Sequence, residues 1–392
     1  MSPSKPAPIW LLALLTLSGT MAIHIFVPAL PQVAAAFGTT ASAAQMTLSA
    51  YIVGLALAQI VYGPIADHIG RRPVLIAGMA IYALAGAAAF AAPSIQVLIV
   101  ARFFEALGGG SGLVLGRAMV RDGAGPEDAA RKLSLMNLIV MAGPGISPLV
   151  GAGLAAATGW RSIFLLLCLL GLVNLALVWR RLPRVPQAEG RSLRVVMANY
   201  VALLGSPGFL GYAIGGGFAT TALYAYVGAA PFIFINQLHR PSGEVAVYLA
   251  FNILGAWLGS LTVSRLAGRI RMRRLLVAGN LLSCLGAGLF LLAVLTGWLS
   301  VPLTVATMLV FSYGAGIASP MALSEALNLN PAATGSASGL YGCVQMVIGA
   351  ICAALSGIGG NPALAAALVM TAAGIIAQLS FWISQRYAAD PA

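Results

Sequence analysis

Charge is scarce in this chain. Only 8% of its 392 residues are Asp, Glu, Lys or Arg, against roughly 25% in soluble proteins, which excludes an ordinary water-soluble domain. The acidic residues number nine: Asp67, Glu105, Asp122, Glu127, Asp128, Glu189, Glu244, Glu325 and Asp390. Cysteine is equally sparse. Cys168, Cys284, Cys343 and Cys352 all lie in apolar runs without a Cys-x-x-Cys spacing, so neither a disulfide framework nor a zinc site is supported. The run Gly108-Gly109-Gly110-Ser111-Gly112 has no lysine and no strand before it, which removes a phosphate-cradling reading. No metal and no cofactor is expected. A membrane enzyme would need a nucleophile and a base at working depth, and apart from His24 and Glu105 the apolar runs offer none.

What the chain has is apolar length. Hydrophobic residues make up 60% of it, and the mean hydropathy is +0.95. A membrane-crossing helix needs about 20 apolar residues. Twelve runs qualify, near 9–29, 43–63, 74–93, 95–119, 131–157, 161–180, 207–235, 244–266, 274–297, 300–322, 334–357 and 363–385. The first stays apolar to Val27, beyond the core of roughly 7–15 residues of a cleaved signal, and reads as a retained span.

Basic residues set the orientation. Arg71 and Arg72, then Arg117, Arg121, Arg131 and Lys132, then Arg180, Arg181, Arg184, Arg191 and Arg194, then Arg265, Arg269, Arg271, Arg273 and Arg274 fall at even-numbered connectors, with Arg161 and Arg240 opposite. That alternation predicts cytoplasmic termini. It also makes the net charge of +12 an orientation signal rather than a nucleic-acid footprint. The longest connector carries Pro183, Pro186 and Gly190 and divides the spans six and six. The expected architecture is therefore an all-α membrane protein of two six-helix halves, 1–182 and 200–392, joined by a cytoplasmic linker at 183–199.

Between the second and third runs lies Gly63-Pro64-Ile65-Ala66-Asp67-His68-Ile69-Gly70-Arg71-Arg72-Pro73. It reads as a charged cytoplasmic loop in which glycines permit a tight reversal and Asp67 can accept from the orphan amides of a helix start. This stretch resembles the signature connector of the major facilitator superfamily, a family of secondary transporters. Other stretches extend the resemblance: His24-Ile25-Phe26-Val27-Pro28-Ala29-Leu30-Pro31, Arg102-Phe103-Phe104-Glu105-Ala106-Leu107-Gly108, Arg117-Ala118-Met119-Val120-Arg121-Asp122, Gly143-Pro144-Gly145-Ile146-Ser147-Pro148 and Gly335-Ser336-Ala337-Ser338-Gly339. Together they are similar to the bicyclomycin and chloramphenicol resistance group of drug and proton antiporters.

The resemblance implies two pseudo-symmetric halves and proton-coupled efflux of drug-like or amphipathic molecules by alternating access across a bacterial inner membrane. Each chain is expected to hold a complete pathway and to work as a monomer, with small molecules, protons and membrane lipid as its partners. It further implies a gate built from Gly63, Asp67, Gly70, Arg71 and Arg72, and a kinked fifth span at Gly143, Pro144 and Pro148. A carrier for a metabolite or nutrient, coupled or not, is the alternative. A transport-derived sensor is the third reading, weakened because no soluble domain or long tail is evident.

Arg102 and Glu105 are the residues with the most chemistry. A charge at a helix centre costs about 2.5–3.5 kcal/mol on insertion scales, and these two lie one turn apart on one face. They read either as a self-neutralising structural pair or as a proton-coupling site. Counting about 1.5 Å per residue, they lie roughly 14 and 18 Å deep, and His24 lies about 20 Å from the other side, so a cluster of all three is expected. The related exporters usually carry an aspartate at the position of His24 and more often glutamine at that of Glu105. That double departure suggests that the proton-carrying carboxylate has moved from span one to span four, with His24 either titrating or simply bonded to a backbone carbonyl. For the substrate cavity the candidates are Tyr224, Tyr226, Asn252, Tyr341 and Gln345, aromatic and amide groups in apolar surroundings. Tyr341 and Gln345 are favoured because a spacing of four shares a face. Glu325, at a cytoplasmic helix end, is expected to be solvated.

Overall fold

The computed structural model describes residues 8–122, 126–182, 193–266, 269–329 and 334–387. Helices account for nearly all of them, and no strand element occurs among the described residues. The first span is α1 (Ile9–Phe26), a short 3₁₀ turn at Val27–Ala29 and α2 (Leu30–Ala36). Pro28 and Pro31 lack the N–H that an unbroken helix would need there. There follow α3 (Ala41–Ile69), α4 (Arg71–Phe90), α5 (Ile95–Asp122), α6 (Pro126–Thr158) and α7 (Arg161–Arg181), then a shorter α8 (Leu193–Leu204). The seventh span is α9 (Pro207–Thr221) and α10 (Leu223–Phe232), ending in a π-turn at Ile233–Gln237. The last five are α11 (Ser242–Leu266), α12 (Met272–Leu295), α13 (Val301–Asn328), α14 (Thr334–Leu355) and α15 (Pro362–Tyr387).

Among the described residues, eleven segments are long and apolar enough to cross a membrane. The remaining expected span, 131–157, coincides with α6, a helix of 33 residues. The twelve-span all-α architecture is thus the observed one. Several helices outrun their apolar cores, since a helix continues into water while its amides keep their partners. The first reaches Ala36 and the second reaches Ile69.

One expectation about a connector needs correction. The stretch from Gly63 to Ile69 is helix, not loop, and one residue, Gly70, makes the reversal. Its φ of 92° lies where side chains are strained and glycine is not. Asp67 therefore sits in the last turn of α3, and the cap of α4 is Gly70 with no side-chain hydrogen bond. Of the segment expected to link the halves, 183–199, the part from Leu193 onward is helical, while 183–192 lies outside the described residues, as do the side chains of Arg121, Asp122 and Arg131.

The chain forms two compact units, Met1–Thr39 with Ala50–Val196, and Thr40–Ser49 with Met197–Ala392. In the first, α1 packs on α5, α6 and α7, and α4 packs on α5 and α7; in the second, α9 packs on α13, α14 and α15, and α12 on α13 and α15. Lipid offers little hydrophobic drive between helices, so close backbone approach through small residues carries the association. Gly108, Gly112 and Gly116 serve this end. A Cβ on each would meet Tyr82 N at 2.5 Å, Leu15 O at 2.3 Å and Thr16 Oγ1 at 2.4 Å.

Candidate functional site

The chemistry of the first unit gathers where α5 crosses α1. Nη1 of Arg102 donates to Oε2 of Glu105 at 2.6 Å, and Nη2 donates to the carbonyl of Ala22 at 2.9 Å. Both side chains are fully buried. The guanidinium carbon lies 4.1 Å from the Tyr51 ring centroid, 5.2 Å from Phe26 and 5.7 Å from Phe164. Aromatic faces attract a cation in this geometry, so the charge is compensated by an acid, a carbonyl and three rings. Oε1 of Glu105 and Nε of Arg102 have no hydrogen-bond partner. An orphaned acceptor of this kind is uncommon in buried sites, and it is the one place in the pair where a proton would add without displacing an existing bond.

Around the pair, hydroxyl groups secure α1. Tyr51 donates to the carbonyl of Gly19 at 2.7 Å and Tyr82 to that of Ser18 at 3.2 Å. Nδ2 of Asn174 donates to the Ser18 hydroxyl at 2.7 Å, which itself donates to Leu14 O at 2.8 Å. None of Tyr51, Tyr82, Ser18 and Asn174 emerged from sequence reasoning. The available signal was a polar tip inside an apolar run at each of these positions.

No hydrogen bond or ion pair among the described residues joins His24 to the pair of Arg102 and Glu105. His24 follows Ala22 by two residues, roughly 200° round a helix at 3.6 residues per turn. The pair lies against the face of Ser18, Gly19, Ala22 and Phe26, while His24 shares the half-buried face of Leu17 and Met21. The helix face as well as the depth decides which groups meet.

At the turn between α3 and α4, Arg72 donates to the carbonyl of Trp179 at 2.7 Å and lies 5.6 Å above its ring, satisfying a carbonyl near the end of α7. Gly63 and Asp67 lie on α3 and Arg71 opens α4, so the expected gate residues are neighbours in chain order across one tight turn. In α6, Pro144 and Pro148 are interior to a continuous helix. A Cβ on Gly143 would meet Leu17 Cδ1 at 2.2 Å, and the Ser147 hydroxyl donates to Gly143 O at 2.5 Å.

In the second unit the cavity candidates divide. Tyr226 is fully buried, edge-on to Phe290 at 6.2 Å. Asn252 is 3% exposed and accepts from the Ser312 hydroxyl at 3.4 Å. Both are buried among the helices, to the same degree as Tyr341. Tyr224 and Gln345 are half-buried. Gln345 donates to Thr220 Oγ1 at 2.6 Å, and Tyr341 on the same face of α14 packs on Gly216, both toward α9, as their spacing requires. The Tyr341 hydroxyl is buried without a partner. Glu325 departs from expectation: its side chain is 14% exposed and lies 3.6 Å from Arg273, because α13 runs on to Asn328 and carries it beside the start of α12.

Comparison with known proteins bears on these features. The family model of the Major Facilitator Superfamily matches residues 12–354. The chain is 31% identical over 353 residues to multidrug resistance protein D of Escherichia coli (strain K12), a match covering 88% of this chain and 87% of that one. It is 26% identical over 352 residues to the bicyclomycin resistance protein homolog of Haemophilus influenzae, again over 88% and 87%. Among solved structures, a D-xylose-proton symporter matches with a TM-score of 0.77 and 14% identity over 95% of this chain and 96% of that one, a likeness of fold alone.

Proposed function

The chain belongs to the major facilitator superfamily, and from that premise we propose that it exports drug-like or amphipathic small molecules across a bacterial inner membrane in exchange for protons, by alternating access. The termini are cytoplasmic and the monomer is the working unit in this reading. The observation that carries it is the buried Arg102 and Glu105 pair, with Oε1 of Glu105 unpartnered. Intramembrane ionisable groups are costly to retain and usually functional. The names of the similar resistance proteins support a drug cargo.

Mechanistically, a proton taken up at Oε1 neutralises Glu105 and leaves the Arg102 cation held by Ala22 O and the aromatic rings. Loss of that proton restores the ion pair. Since neither side chain reaches solvent, exchange requires a conformation that admits water, and this ties protonation to the transport cycle. The turn at Gly70, with Asp67, Arg71 and Arg72 beside it, serves as the gate. Tyr224, Tyr341 and Gln345 contribute hydrogen-bonding groups to the cargo.

The test is proton movement in proteoliposomes under an imposed pH gradient, with phenicols, bicyclomycin-like compounds, cationic dyes and common metabolites added in turn. Compound-dependent flux that disappears in Glu105→Gln is the expected result. Flux undiminished in that variant would overturn the role of Glu105. Silence across the panel, with the protein folded, would favour an uncoupled metabolite carrier.

A further inference from the structure

Helix α8 is apolar on nearly every side, and it is too short to cross a membrane. Its 12 residues span about 18 Å at roughly 1.5 Å each, against a hydrocarbon core of roughly 30 Å. Val196, Tyr200 and Leu203 form its buried face. The remaining sides hold Val195, Met197, Val201 and Leu204, exposed by 48%, 57%, 67% and 50%. Among its described side chains Arg194 alone is charged, and it is exposed. Water does not favour such a surface.

The chain fixes where this helix lies. After α8, Gly205 and Ser206 lead directly into α9, with the Ser206 hydroxyl accepting from Phe209 N at 3.3 Å. The helix is thereby tethered to the start of a membrane span, α9. On the sequence side, α7 ends in Trp179, Arg180 and Arg181, all exposed, and the connector beyond carries Arg184 and Arg191. An apolar stripe flanked by arginine and tryptophan matches the boundary between acyl chains and anionic headgroups.

We propose that α8 lies in the headgroup region of the membrane, with Val195, Met197, Val201 and Leu204 among acyl chains and Arg194, Arg180 and Arg181 on the phosphates of anionic phospholipid. The leaflet is the cytoplasmic one, a detail that rests on the orientation given above. Docking itself is independent of what the protein transports.

The test uses full-length protein with its four cysteines replaced, labelled with bimane at Val201→Cys or, as a second site, Met197→Cys. It is reconstituted in phosphatidylcholine vesicles with increasing phosphatidylglycerol. Quenching by bromine on the acyl chains, protection from aqueous iodide and strengthening with phosphatidylglycerol are expected at both sites. Arg194→Gln should lower the ratio of docked to undocked helix at a fixed phosphatidylglycerol fraction by about fivefold, the worth of one surface arginine near an anionic membrane. Iodide quenching at both sites would overturn the proposal in favour of a water-facing helix. Protection from both quenchers would overturn it in favour of a protein partner. Equal acyl quenching with and without phosphatidylglycerol would overturn the requirement for anionic lipid.

Discussion

The ring of Tyr51 lies 4.1 Å from the guanidinium carbon of Arg102 while its hydroxyl donates to Gly19 at 2.7 Å. One side chain thus steadies the buried cation and ties it to the helix opposite. The cation is consequently held by more than its carboxylate, and the two contributions are separable by substitution.

Removing one member of a buried ion pair typically costs about 3–5 kcal/mol, whereas replacing both by apolar groups is often neutral. Glu105→Leu should therefore lower thermal stability in detergent by about that amount. The double variant Arg102→Met with Glu105→Leu should regain most of it. Compound-driven proton flux should be absent from both. A double variant that retains flux would show the pair to be scaffold.

Helix α6 supplies its own control for close packing. A Cβ on Gly151 would lie 1.7 Å from Ile25 O, whereas one on Gly153 would have nothing within 4 Å. Overpacking costs roughly 1–3 kcal/mol, so Gly151→Ala should lower the melting temperature and Gly153→Ala should not. Equal effects would mean that α6 does not approach α1 as described.

The reversal after α3 makes a similar contrast. Gly70 has a φ of 92° and a ψ of 153°, and Gly70→Ala should cost roughly 1–3 kcal/mol through backbone strain. Gly63 is helical with nothing within 4 Å of an added Cβ. Gly63→Ala should stabilise by up to about 1 kcal/mol from helix propensity. Thermal unfolding of the two variants side by side distinguishes turn from helix.

Tyr341 carries a buried hydroxyl with no partner. Its replacement by phenylalanine should leave stability within about 1 kcal/mol of the parent, since no hydrogen bond is lost. If the hydroxyl meets cargo, the half-saturating substrate concentration should rise by about fivefold, the worth of one hydrogen bond near 1 kcal/mol. Unchanged transport would remove Tyr341 from the cargo site.

The spans were legible because a run of about 20 apolar residues has few structural alternatives in a membrane. Gly63 to Ile69 misled because glycine, proline and charge usually mark a loop, yet Pro64 is accommodated inside α3. Arg102 and Glu105 were readable as neighbours from their spacing, and their shared bond follows from it. Their other companions were not. Whether Tyr51 or His24 meets Arg102 depends on which face of each helix turns inward, and tertiary packing sets that rotation. Glu325 was likewise misjudged because its partner, Arg273, begins a different helix.

Three donors from three helices, Tyr51, Tyr82 and Arg102, reach the carbonyls of Gly19, Ser18 and Ala22. These contacts index α1 like pins in a lock cylinder. A slip of a single residue, about 1.5 Å along the axis, would misalign all three together, and rotation would do the same. The helices α1, α4 and α5, with α3 from Ala50 onward, are thereby expected to travel as one rigid piece. Bending is left to turns outside that piece, such as Gly38, where φ is 57°.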